Sequence, residues 1–257
     1  MEAELERHLY SKTGDICAWV KAKFGVEYTR QGMTEWLHRH NYSWKTPVGI
    51  PAKADPQKQK NFKRAYARLK KNLPEDEVIV FADASHPTMA TKIGKGWVKT
   101  GQARPIETIA SRTRVNVQGS LDVTTGKFVG SFHKTINSQV MELHFKDLRQ
   151  VYAQFSLIHV ILDRSGYNTC QYTKDAAKRY GIKLHYLPPY SPNLNVIERL
   201  WKIASECVRK NRVFSSAKEF RDSMQEFFFE TWPEISEIYR DTLTDKFQTL
   251  SRRFQPE

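Results

Sequence analysis

The chain has 257 residues, room for one large domain or for a medium domain with a small module. Its 40% hydrophobic and 12% aromatic content argues against disorder, and 41 Lys and Arg against 28 Asp and Glu leave a net charge of +13, which favours a polyanionic partner, nucleic acid first among them. Three scattered cysteines, Cys17, Cys170 and Cys207, an acidic start and the lack of any run near 18 apolar residues argue against a disulfide framework, a zinc site, a signal peptide and a membrane span, so a soluble protein of a reducing, intracellular compartment is expected.

Residues 1–47 read as short helices: Glu2–Tyr10, then Asp15–Lys23 with Ile16, Trp19 and Val20 on one face. The chain turns at Phe24-Gly25-Val26. A third helix opens at Thr29, a suitable N-cap, and runs to about His40, with Met33, Trp36, Leu37 and His40 at helical spacing. This is the outline of a helix-turn-helix, and any small helical hairpin shares it. Its polar positions Arg30, Gln31, Thr34 and Arg39 are the candidates for DNA contact, with Lys45 just beyond the helix.

Residues 48–76 follow as a basic linker punctuated by prolines. Within it Lys58, Lys60, Lys63, Arg64, Arg68, Lys70 and Lys71 surround an apolar stripe of Phe62, Tyr66 and Leu69, the pattern of a basic amphipathic helix. Residues 1–73 hold +8 of the net charge, more than half of it in under a third of the chain.

From residue 77 strands alternate with helices. Val78–Asp83 is a buried strand ending in an acid; Gly96–Thr100, Val115–Val123 and Lys127–His133 read as further strands. Between the first two, Lys92–Ala110 is a long insertion, which the residues alone leave as a hairpin folded on its own domain. Ser111-Arg112-Thr113-Arg114 precedes the next strand, and Arg112 and Arg114 are candidate phosphate contacts. A helix over Asn137–Tyr152, a second acid-ended strand over Leu157–Asp163, a helix over Thr169–Tyr180 stopped by Gly181, and a strand over Ile182–Leu187 come next. Helices near Leu194–Lys210, Ser216–Thr231 and Glu234–Phe247 close the chain. Three antiparallel strands, a helix, a β-α-β unit and closing helices predict an α/β fold of the ribonuclease H-like kind: a mixed sheet flanked by helices over 77–257, behind a small helical module.

Asp83 and Asp163 each end an apolar run, Val-Ile-Val-Phe-Ala-Asp and Ile-His-Val-Ile-Leu-Asp. A carboxylate at the last buried position of a strand is costly unless paired or bound to a cation, although a single such Asp more often caps the next turn. In open α/β sheets chemistry gathers at the carboxyl ends of strands. Glu198 stands in the first turns of a helix that follows Pro188-Pro189-Tyr190-Ser191-Pro192, bordering the face of Leu194, Ile197 and Trp201, from which it can point back toward the acids. Spacing alone leaves a solvated helix acid as the simpler reading.

The stretch Pro-Pro-Tyr-Ser-Pro-Asn-Leu-Asn-Val-Ile-Glu-Arg-Leu-Trp-Lys, residues 188–202, resembles the signature around the last acid of the mariner superfamily of transposases, particularly its bacterial insertion-sequence branch. The 34 residues between Asp163 and Glu198 match the spacing of that branch, and Phe81-Ala-Asp83-Ala-Ser-His86 and Ile161-Leu162-Asp163 are similar to its first two acid strands. The resemblance covers roughly residues 14–240. It implies catalysis and metal binding by Asp83, Asp163 and Glu198 with two Mg²⁺ or Mn²⁺ ions. Further implications are cleavage of terminal inverted repeats in double-stranded DNA, attack of the 3′-hydroxyl on a TA target, a homodimer on DNA in which the Lys92–Ala110 loop would reach the partner subunit, and a cytoplasmic, nucleoid-associated protein of a bacterium. Two departures stand out. Arg164 follows Asp163 where the family commonly has Asn, bringing positive charge beside the acids. There is room for one helix-turn-helix where relatives usually carry two, as in a natural short form or an N-terminally truncated product. A ribonuclease H-like nuclease without strand transfer, or a non-enzymatic DNA-binding protein derived from a transposase, are the competing expectations. His86, His133 and His185 lack ligand spacing and read as structural.

Overall fold

The computed structural model describes residues 1–47, 51 and 53–247, in two compact units, Met1–Gly49 and Ile50–Glu257. In the first, α1 (Glu2–Arg7), α2 (Thr13–Phe24) and α3 (Arg30–Arg39) follow the expected order. Gly25 ends α2 with φ 69°, a left-handed position that glycine adopts without penalty. Thr29 caps α3, its hydroxyl accepting from the Gly32 N–H at 3.1 Å. The core is small: Ile16, Val20 and Met33 are buried, with Trp19, Trp36 and Leu37 partly buried against them.

In the second unit the basic stretch folds as α4 (Pro56–Lys71), capped by Asp55 and begun by a proline at its first turn. Of the 48–76 stretch, residues 48–50 and 52 lie outside the described residues. The stripe expected on this helix turns inward: Tyr66 is buried and Phe62 packs beside it on the main core, while Lys58, Lys60, Arg64, Arg68, Lys70 and Lys71 remain exposed. Gln59 belongs to the same inward face and is fully buried.

The sheet runs β3-β2-β1-β4-β5 and contains β1 (Glu77–Ser85), β2 (Asn116–Asp122), β3 (Phe128–His133), β4 (Leu157–Leu162) and β5 (Ile182–Tyr186). The pairs β1–β2 and β2–β3 are antiparallel, and β1–β4 and β4–β5 are parallel. Crossovers α5 (Ser138–Val151) and then α6 (Gly166–Thr169) with α7 (Gln171–Arg179) join the parallel strands. Next come α8 (Ile197–Ala204), drawn out by a π-turn at Ser205–Arg209, then α9 (Ala217–Glu226) and its π-turn Phe227–Thr231, and α10 (Trp232–Ile235). This is the expected ribonuclease H-like order.

The alternation of β1 decides what each face holds. Val78, Val80 and Ala82 join an aliphatic core with Met141, Phe145 and Leu148 of α5 and Ala176 and Ala177 of α7. Phe81 faces the other way, into an aromatic-rich core with Val117, Leu121, Ile161, Leu200 of α8, Phe220, Phe227, Phe228 and Trp232.

Three elements differ from expectation. Gly96–Thr100 forms no strand: the neighbouring backbone of Gly94 is bonded to the Asn211 side chain at 2.9 and 3.0 Å, and Trp97 stands fully exposed. The 92–110 insertion is thus anchored at its base, through a bridge between Lys92 and Lys210 and the Thr91–Ile109 backbone bond, and bare toward its tip. The helix expected from Leu194 starts three residues later, because Asn195 is extended (φ −97°, ψ 108°) and breaks a 3₁₀ turn at Pro192–Leu194 from α8. The last helix stops early at a 3₁₀ turn over Ser236–Tyr239, after which Leu243 and Phe247 still reach the core. Among the described residues no helix is long and apolar enough to cross a membrane.

Candidate active site

Asp83 lies on β1 and Asp163 just past the end of β4. The parallel register Phe81↔Ile161 puts the two acids at matching positions two residues further on. Odd-numbered residues of both strands face α8, so Asp83 and Asp163 stand on the side from which Glu198, in the first turn of α8, approaches. All three line one cleft of 510 Å³, together with Arg164, Ser165, Asn195 and the loop Leu187–Pro192.

Each acid is held differently. Asp163 is open to solvent and accepts three hydrogen bonds on Oδ1, from the Ser165 N–H (3.2 Å), the Ser165 hydroxyl (2.9 Å) and the Asn168 amide (2.7 Å). Asp83 is half-buried and accepts the Ala84 N–H at 2.8 Å. Burial above all, then the charges of Glu198 and Asp163, hold its carboxyl well above the usual carboxylate range, against the pull of the Ala84 N–H. The Trp201 indole N–H is buried without a full hydrogen bond, yet lies close enough to favour the Asp83 anion. Glu198 keeps an exposed surface, but desolvation of its carboxyl raises it too, reinforced by Asp163 and offset by hydrogen bonding with Asp83. Carboxyls crowded until they resist ionising create a demand for positive charge.

Arg164 does not meet that demand. Its Nε donates to the Leu187 carbonyl at 3.3 Å and its guanidinium lies 5.5 Å from the centre of the Tyr186 ring. All-oxygen donors in an open cleft suit a hard dication, which completes its shell with water and phosphate oxygens. Among the described residues no group of three or more His, Cys, Asp and Glu side chains, the three acids included, is gathered closely enough to hold a metal ion by itself, so any ions here would draw on water and phosphate oxygens as well.

Two further side chains position the acids, and neither stood out in the sequence. Asn195, buried, donates to the Ala82 carbonyl at 3.3 Å and so fastens the start of α8 beside Asp83. Asn168 steadies Asp163; an Asn five residues after a strand-end acid was the available signal. Gly119 pairs with Asp83 across β1 and β2, and a Cβ there would come within 2.4 Å of Phe128 and 2.9 Å of Trp201. Only a glycine lets α8 sit this close to the sheet.

The other sequence candidates lie outside the cleft. In the first unit Arg30 is exposed at the start of α3 with its guanidinium beside Gly14, Gln31 donates to Glu35 at 3.3 Å, and Thr34 donates to the Arg30 carbonyl at 2.8 Å. Arg39 and Lys45 are exposed. In the second unit Arg112 and Arg114 are exposed ahead of β2, and Arg114 bridges to Thr88. The histidines have structural partners: His86 with Asn116 (2.7 Å), His133 with Ser131 (2.7 Å) and His185 with His159 (2.8 Å).

The strand order with acids at its carboxyl edge places the second unit in the ribonuclease H-like class. A family model described as DDE superfamily endonuclease matches residues 78–221, and one described as winged helix-turn helix matches residues 8–66. The chain belongs to the DDE superfamily endonuclease family. It is similar to an uncharacterized 39 kDa protein of insertion element IS630 from Shigella sonnei, 22% identical over 204 residues that make up 79% of this chain and 59% of that one. The chain therefore spans about three-fifths of that relative's length. Its fold is shared with Mos1 transposase in a paired-end complex with the left transposon end (TM-score 0.67, 14% identity, 96% of this chain and 78% of that one). A Mos1 paired-end complex with Mg gives a TM-score of 0.64 at 13% identity over 97% of this chain and 78% of that one.

Proposed function

We propose that this chain is a transposase that cuts the ends of a DNA element and joins the freed 3′-hydroxyl to target DNA. The observation that carries the reading is the cleft itself: Asp83, Asp163 and Glu198, from three separate elements, meet at the carboxyl edge of the sheet in a member of the DDE endonuclease family. Asp83, which interacts with both other acids, would be the shared metal ligand, with Asp163 serving one ion and Glu198 the other. Two Mg²⁺ or Mn²⁺ ions, when bound, would activate the attacking oxygen, stabilise the leaving oxygen and neutralise charge at phosphorus. The Mos1 complexes include one with Mn and one with Mg. Ser165 and Asn168 hold Oδ1 of Asp163, so no described residue competes for Oδ2. Asn195 fixes the distance between α8 and β1, and with it the separation of Glu198 from Asp83.

We assign DNA recognition to residues 1–47, with Arg30, Gln31, Thr34, Arg39 and Lys45 as contacts, and chemistry to 77–257. Residues 48–76 lie between them and bring the exposed basic face of α4. Arg112 and Arg114 add phosphate contacts, and the partner is double-stranded DNA with terminal repeats and a TA target, in the bacterial cytoplasm. Two ends must meet before joining, so the working form is a homodimer, and the bare 92–110 arm with exposed Trp97 is the natural contact.

The test incubates the full chain with a labelled DNA end bearing a free 3′-hydroxyl, a plasmid target and Mg²⁺ or Mn²⁺. Metal-dependent joining is expected. Hydrolysis without joining would leave a ribonuclease H-like nuclease, and binding without either reaction a DNA-binding protein. Trp97→Ala should reduce paired-end assembly, read by light scattering with two DNA ends, more than single-end binding. Equal assembly would move the dimer contact elsewhere.

A further inference from the structure

Among the described residues three non-glycines have a left-handed backbone: Asn41, Tyr190 and Asn211. Asparagine tolerates this region, whereas a bulky aromatic is disfavoured there. Tyr190, at φ 54°, is therefore the outlier, and it sits on the wall of the acid cleft. Its ring does not repay the strain by filling a core, because the residue is 56% exposed.

The conformation is imposed by the surroundings. Pro188, Pro189 and Pro192 stiffen the loop. Ser191 is buried, donates to the Pro189 carbonyl at 3.2 Å and accepts from the Gln59 amide at 3.0 Å. Gln59, fully buried on α4, exchanges two further hydrogen bonds with Asn193, at 3.3 and 3.2 Å. A buried glutamine with both ends of its amide engaged is a strong clamp. Its effect is to fix the backbone that presents an exposed aromatic ring on the wall of the cleft. One cation lies at the ring, the Lys53 ammonium 5.8 Å from its centre, and Arg164 lines the same cleft with its guanidinium over the Tyr186 ring.

We infer that Tyr190 is a stacking platform for an unpaired nucleobase of the strand whose phosphate enters the acid cleft, with Lys53 and Arg164 beside the neighbouring phosphates. An exposed ring on a clamped loop, with one cation at it and another lining the same cleft, suits a single-stranded segment, since every base offers a π-face while the phosphates meet the positive charge. A duplex end must separate locally for its strand to reach a cleft, and an unstacked base then needs a partner. The inference rests on the reading of the cleft as a site for DNA phosphodiesters, but stacking can be measured without cleavage.

The test compares the full chain with Tyr190→Asn, which keeps a residue suited to the left-handed backbone and removes the ring, and Tyr190→Phe, which keeps the ring. The probes are a labelled 12-nucleotide oligothymidylate and an abasic strand of equal length, read by anisotropy in Ca²⁺. Wild type and Tyr190→Phe should prefer the base-bearing strand by roughly 5- to 150-fold, and Tyr190→Asn should lose most of that preference while binding the abasic strand equally. A 5-iodouracil strand should crosslink to Tyr190 on irradiation. Unchanged preference in Tyr190→Asn, or crosslinks confined to other residues, would overturn the inference. Tyr190→Asn should melt at or above the wild-type temperature; a clear drop would mean that the ring serves packing, and would also overturn it. Loss of metal-dependent cleavage by the wild type, with stacking intact, would instead overturn the proposed function.

Discussion

Along β1, Val80 and Ala82 turn to one face of the sheet and Phe81 and Asp83 to the other, yet the two faces are built to different ends. Under α5 and α7 the surface is closed: Phe145, Leu148, Ile158 and Val160 are fully buried, and burial pushes His144 on α5 down to about 3, which leaves it neutral at pH 7. Under α8 the packing is as dense around Phe81 and Leu200 but opens at the strand ends into the acid cleft. The first face stores stability. The second gives some up at its rim, where two carboxyls are desolvated beside each other.

The comparison breaks most visibly in activity. Asp83→Asn, Asp163→Asn and Glu198→Gln should each lower metal-dependent cleavage by on the order of 10²–10³-fold or more with DNA binding retained. Near wild-type cleavage by any of them would remove that residue from the site. Phe145→Ala, on the closed face, should do the reverse: a loss of about 3–5 kcal/mol in denaturant unfolding with cleavage per folded molecule unchanged. Gly119→Ala should cost about 1–3 kcal/mol and also slow cleavage, because the added methyl drives Trp201 and α8 away from Asp83. Full activity in this variant would show that α8 tolerates the shift.

Two smaller effects concern pH. The native pKa of Asp83 is raised, so the folded state binds its proton more tightly than the unfolded chain, and its contribution to stability falls as pH rises from the ordinary aspartate range through the raised value. Asp83→Asn should therefore stabilise the metal-free protein at neutral pH, by roughly 1 kcal/mol, and lose that advantage toward pH ~4. Calorimetry showing destabilisation at pH 7 would contradict the crowding seen here. His144 runs the other way. Complete burial, aided by His133, pushes it down to about 3, so the unfolded chain takes up the proton first and stability falls as pH drops from about 6.5 toward 3. His144→Gln should flatten that part of the stability profile; an unchanged slope would assign it to other groups.

Much of this was legible in the sequence. The acid-ended apolar runs placed β1 and β4, and the Thr29 cap and Gly25 placed the N-terminal helices, because these signals are local: a strand's periodicity, a side chain within reach of its own backbone, a left-handed turn. The proline-flanked stretch around Glu198 carried the family resemblance. Gly96–Thr100 failed as a strand because β character needs a partner, and its neighbours bond to Asn211 instead. The loss of the early turns of the helix before Glu198 depended on an extended Asn195 bonded to a residue 113 positions away. Asn168 and Gln59 likewise take their meaning from side chains reached through the fold. Periodicity and caps are written in neighbours along the chain. The closeness of α8 to Gly119, the crowding of Asp83 and Glu198 and the strained exposure of Tyr190 arise only where distant segments meet, so tertiary structure alone decided them.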